Sequence, residues 1–148
     1  MEKSIKNKSF IKILKPIHKN HTKKAYKRLI KKMYSLKQSL KTRSKKANVK
    51  CDITINEIKN MFKDNYGKKC KYCNKTLIVR NIACDHIIPL HNGGDSTYTN
   101  LQLICRTCNT RKGYLTDKEY KRLLSILSKC NKTIREYVLR KLSKGGKY

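Results

Sequence analysis

The sequence predicts an α+β fold, with helices on either side of a small unit of short strands stapled by cysteines. Three observations carry that expectation. Apolar residues recur at helical spacing between Thr22 and Ser44, and again beyond Thr116. β-Branched residues crowd the stretch TLIVRNIACDHIIPL, residues 76–90. Two C-x-x-C pairs, Cys70/Cys73 and Cys105/Cys108, bracket that stretch. A chain of 148 residues suits one compact domain with extensions and is short for two large cores. It divides into residues 1–50, a basic arm and helix; 51–115, the cysteine-stapled unit; and 116–148, a C-terminal helical extension.

Taken in order, residues 1–20 read as a flexible basic arm that also carries His18, with His21 just beyond. The first helix has its apolar stripe in Tyr26, Leu29, Ile30, Met33, Leu36 and Leu40, and KTRSKKANVK reads as a linker. A second helix is expected from Thr54, where TINE is a capping box with Glu57 three residues on, and Gly67 fits just past its end. CKYCN makes a tight turn. TLIV and IACDHIIPL read as two strands of a hairpin around Arg80-Asn81, HNGGDSTYTN as a loop, and NLQLIC as a short strand or turn. CRTCNTRKG is a second tight turn into a short helix, which Asn109 could cap. TDKE (Thr116, Glu119) and TIRE (Thr133, Glu136) are further capping boxes that open two C-terminal helices.

The formal net charge is +29, and eighteen of the 38 Lys and Arg lie in residues 1–50 against Glu2 alone. Such a chain is drawn to a polyanion, and nucleic acid is the first choice, with residues 1–50, the arm and first helix, expected as a DNA-binding extension whose Lys and Arg contact phosphates. No apolar run approaches the roughly 18 residues of a membrane span, and lysines interrupt the N-terminal apolar residues, so neither membrane insertion nor secretion is expected. Seven cysteines, an odd number with four in C-x-x-C pairs, favour metal binding over disulfides and an intracellular location.

Cys70, Cys73, Cys105 and Cys108 supply four thiolates from two tight turns, the usual construction of a closed tetrahedral zinc site. A competing pattern, C-x2-C-x12-H-x4-H through His86 and His91, spells a zinc finger. It needs both histidines on one helix, whereas Pro89 lies between them in a strand-like stretch. It also leaves the second C-x-x-C without a task. A zinc deaminase would require glutamate two residues after His86, where Ile88 stands. The four-cysteine site is therefore structural, and its 31-residue gap holds Asp85, His86, Gly93, Gly94 and Asn100. Cys51, Cys84 and Cys130 read as free thiols, Cys84 half-buried in its strand.

The words CKYCN, CDHIIPLHNGG, NLQLICRTCN and RKG run in order over 44 residues from Cys70 to Gly113. In that combination the chain closely resembles the HNH nuclease family. The resemblance implies a ββα-metal unit, a hairpin and a helix gripping one divalent ion, held together in this subgroup by a four-cysteine zinc site. It implies His86 as the general base on the attacking water, and Asp85 and Asn109 as ligands of a catalytic magnesium or manganese ion. Asn109 stands where the family's last histidine would be. Asn100 would order the hairpin and loop, and Lys112, with help from Arg111, would stand near the scissile phosphate.

Carboxylate and amide oxygens suit a hard divalent ion while four thiolates suit zinc, so the two sites do not compete. The expected activity is metal-dependent hydrolysis of double-stranded DNA, leaving a 5′-phosphate and a 3′-hydroxyl. The alternative is a non-catalytic nucleic-acid-binding zinc module. His91 reads as a loop residue. No feature of the sequence sets the oligomeric state.

Overall fold

The computed structural model describes residues 22–144. The expected basic arm, with His18 and His21, lies outside the described residues. Helices α1 (Thr22–Ala47) and α2 (Ile55–Asn65) precede strand β1 (Ile82–His86). Strand β2 (Leu101–Cys105) runs directly into α3 (Arg106–Lys112), and α4 (Asp117–Lys129) and α5 (Lys132–Leu142) close the order. Among the described residues the sheet is two-stranded and antiparallel, with Ile82 opposite Cys105, Asp85 opposite Gln102 and His86 opposite Leu101. The mixed architecture is the one expected: flanking helices around a ββα unit that carries a cysteine cluster.

One hydrophobic core joins these parts. Leu29, Met33 and Leu40 of α1 pack with Ile58 and Phe62 of α2, Ile82 and Ile104 of the strands, and Tyr120 of α4. The stripe read on α1 is thus its buried face, with Tyr26, Ile30 and Leu36 partly buried beside it. The helix continues past the expected boundary, through the first part of the presumed linker, to Ala47. It stops because Asn48 turns left-handed (φ +53°), while Asn48 N–H bonds Lys45 C=O and Val49 N–H bonds Ser44 C=O. Those paired bonds satisfy carbonyls that a helix end leaves open. On α2, Thr54 and Glu57 form the capping box as read, and Gly67 follows the helix with φ +81°.

The hairpin expected around Arg80-Asn81 does not form; β1 pairs with β2 across a 14-residue loop instead. Residues 76–77 are already taken. They pair backwards around the first C-x-x-C turn, with Gly67 N–H on Leu77 C=O and Leu77 N–H on Lys68 C=O. The Asn81 side chain then accepts from Ile78 N–H and donates to Thr76 C=O, closing a turn between the two stretches.

Three smaller expectations also change. Cys105 caps α3 through its Sγ, so the second C-x-x-C opens the helix and Asn109 lies inside it instead of capping it. Cys84 is fully buried. The Thr116–Glu119 box forms, but α5 starts earlier than TIRE suggested, because the Asn131 side chain accepts from Ile134 N–H at 2.9 Å. Asn131→Ala is therefore expected to cost about 1 kcal/mol of stability in urea titration. Thr133→Ala, which removes no cap, should fall within a few tenths of a kcal/mol of the parent.

Candidate active site

Two constellations stand side by side on the ββα unit. In the first, the sulfur atoms of Cys70, Cys73, Cys105 and Cys108 all lie within 4.8 Å of one another. Tetrahedral zinc with Zn–S bonds near 2.3 Å places its sulfurs about 3.8 Å apart, so the cluster could hold that ion with little adjustment. The backbone agrees with such use. Cys105 N–H points at Cys70 Sγ and Cys108 N–H at Cys105 Sγ, each at 3.4 Å, an arrangement that favours thiolates. The hydrogen bond from Cys108 and those from nearby backbone N–H groups draw the Cys70 thiol below its ordinary value, while burial holds Cys105 above it.

The second constellation is a cleft of about 710 Å³ running past the end of β1. Asp85 and His86 of β1, Asn109, Arg111 and Lys112 of α3, and His91 of the loop all line it. The structure thus brings Asp85, His86 and Asn109 together on one surface although Asn109 is 23 residues from His86 in sequence. Asn100 stands outside the cleft and braces the loop that borders it. Its side chain accepts from Ile88 N–H at 2.8 Å and donates to the carbonyls of Ile88 and Asp95.

Gly94 completes that brace by having no side chain. A Cβ there would lie 1.9 Å from Ile88 O and 2.9 Å from Asn100 Nδ2. Because the clash is with backbone, Gly94→Ala must open the loop, at an expected cost of about 1–3 kcal/mol in thermal or urea unfolding. An unchanged midpoint would contradict the close approach.

His86 is buried, and its Nε2 lies 2.8 Å from Ser96 Oγ, which is itself 2.6 Å from Ser44 Oγ on α1. Nδ1 is the ring nitrogen that makes no hydrogen bond among the described residues. Burial holds the imidazole at about 4, with the cations of Arg43 and Lys112 adding to the effect, so the ring is neutral near pH 7. Asp85 accepts from Gln102 Nε2 at 2.8 Å and pairs with Lys112 Nζ at 3.1 Å. Burial still outweighs these partners and raises its carboxyl above the ordinary aspartate value.

Lys112 lines the cleft, but its ammonium is committed to partners within the protein. Its side chain is sealed from solvent, with Nζ on Asp85 and, at 2.7 Å, on the His86 carbonyl. It neutralises the acid and fixes α3 to β1, and no face of its ammonium is left for a phosphate. Arg111 has its Nε on Ser143 Oγ, and His91 lies against the Tyr114 ring at 5.1 Å.

Sequence reasoning missed five contributors: Arg43, Ser44, Tyr72, Ser96 and Gln102. Tyr72, inside the first C-x-x-C, meets Gln102 and Asp117 through its hydroxyl, so one polar chain links the cysteine turn to Asp85. Asp85 and Gln102 are cross-strand partners, a relation that needs the register to be known. Ser44 occupies the next position of the α1 apolar stripe, but as a polar residue it broke the pattern and read as linker.

Residues 70–115 match the family model described as HNH endonuclease. No curated protein matches the chain.

Proposed function

From the premise that residues 70–115 are an HNH endonuclease domain, we propose that the chain is a metal-dependent nuclease that hydrolyses DNA. The observation that carries this reading is the meeting of Asp85, His86 and Asn109 on one cleft within that domain. Asp85 and Asn109 offer two hard oxygen donors on the cleft wall, which suits magnesium or manganese, ions that keep positions for water and phosphate. When bound there, such an ion would neutralise charge building on the phosphate and stabilise the leaving oxygen. His86, with Nε2 engaged by Ser96, presents Nδ1 as the acceptor for the attacking water's proton. Water oxygen bonds to phosphorus as the P–O3′ bond breaks, giving a 5′-phosphate and, after protonation, a 3′-hydroxyl. An entering phosphate brings negative charge towards His86 and so strengthens a base that burial and two cations otherwise weaken. Residues 1–50 act as the DNA-holding extension and 116–148 as a helical extension, while the four cysteines bind structural zinc. The expected substrate is double-stranded DNA, gripped through phosphates with strong salt dependence and little sequence discrimination.

One observation favours a second reading. The buried Asp85–Lys112 pair could make the acid purely structural, in a zinc module that binds nucleic acid without cutting it. The readings separate on supercoiled plasmid incubated with zinc-loaded protein and magnesium or manganese. The nuclease reading expects open-circular or linear product only with the divalent ion. DNA binding with no product under either ion would favour the accessory module.

A further inference from the structure

The cleft needs a cation for the substrate phosphate, and the residue expected to supply it is occupied. Lys112 is spent on Asp85 and the His86 carbonyl, and Arg111 is tethered through its Nε to Ser143, which leaves only its terminal NH2 groups open. A third cation lines the same cleft: Arg43, near the C-terminal end of α1 and outside the matched residues 70–115. Arg43 is exposed and makes no hydrogen bond or ion pair among the described residues. Arg43 shares that cleft lining with Asp85 and His86.

The helix end that carries Arg43 is anchored. The next residue, Ser44, is fully buried, with Oγ 2.6 Å from Ser96 Oγ, and Ser96 reaches His86. Ser96 N–H also bonds Lys50 C=O at 2.9 Å, tying the segment after α1 to the loop of the site. A guanidinium so held, with its donors uncommitted and beside an acid-and-imidazole pair, fits a phosphodiester oxygen through paired N–H donors.

We infer that Arg43 binds the phosphate at or next to the cleavage position, so that α1 completes the active site. This rests on the nuclease reading, and the test separates the two. Arg43→Ala should lower the rate of plasmid nicking at saturating DNA by about 10²-fold, as for loss of one donor to developing charge. Arg43→Lys should recover part of that loss. Zinc content and melting temperature should match the parent in both variants, because the side chain is exposed. Lys129→Ala, at an exposed residue in the last turn of α4, serves as a control for general charge loss.

The second readout needs no cutting. Anisotropy of a fluorescein-labelled 20-base-pair duplex without divalent ion should show a log K against log[salt] slope shallower by about 0.9 in Arg43→Ala. If the parent never nicks but that slope change appears, the phosphate contact stands and the nuclease reading falls. If the parent nicks and Arg43→Ala nicks at the parental rate, the inference is overturned whatever the slope, and the nuclease reading stands. An unchanged slope together with unchanged nicking also overturns it.

Discussion

Replacing Cys105 by serine is expected to abolish zinc binding at the proposed four-cysteine site and to unfold the ββα unit. Cys105 is fully buried, belongs to the hydrophobic core, and lies at the junction of β2 and α3. Its sulfur is one of four clustered ligand atoms and also caps α3 by accepting Cys108 N–H. A structural zinc ion in a small site binds with an apparent free energy of about 10–16 kcal/mol, and that energy is available only to the folded chain. Whole domains are stable by about 5–15 kcal/mol, so losing most of the zinc contribution is enough to remove the fold.

The measurement is zinc content by atomic emission together with the thermal unfolding profile. The expected result is less than one equivalent retained and no cooperative transition in the β1–β2–α3 region. Cys130→Ser should keep zinc and melting temperature at the parental values, since Cys130 stands apart from the cluster at the end of α4. A Cys105→Ser protein that melts like its parent would mean that the cysteine cluster does not staple the unit.

Much of this architecture was readable from residue type. The thiols declared themselves by spacing, because two C-x-x-C turns have few other uses in an acid-poor chain. The α1 stripe was readable as far as Leu40, where apolar residues carry the helical period. Ser44 ended that legibility. A buried serine is indistinguishable in sequence from a solvated one until its partner, Ser96, is brought within 2.6 Å by the fold.

The strand pairing failed for a related reason. TLIV and IACDH both read as strands, but residues 76–77 pair back to residues 67–68 around the first C-x-x-C turn and the Asn81 side chain closes the turn that follows. Within the cleft, Asp85, His86 and Asn109 could be named from motif order. Lys112 could be named too, yet its partner could not, because the Asp85 contact joins residues 27 apart across a strand and a helix. Arg43 carries no motif at all, and only the packing of α1 places it on the cleft.

The second large effect concerns His86. General-base catalysis contributes about 10²–10⁴-fold, and removal of the imidazole should take cleavage towards the lower limit of detection. Asp85 is a less clean target, because truncating it leaves the Lys112 ammonium buried and unpaired, at a cost of about 3–5 kcal/mol. His86→Ala leaves a smaller defect, a void beside Ser96. His86→Gln retains an amide that can meet the Ser96 hydroxyl and controls for folding. Neither variant touches the cysteine cluster, so both should keep zinc.

The decisive measurement is a time course of supercoiled plasmid nicking by the parent, His86→Ala and His86→Gln, each with zinc content verified and magnesium or manganese supplied. The predicted result is ion-dependent nicking by the parent, with 5′-phosphate ends, and a loss of at least about 10²-fold in both variants. Parental nicking rates in the two zinc-loaded His86 variants would contradict the assignment of the cleft as the site of hydrolysis.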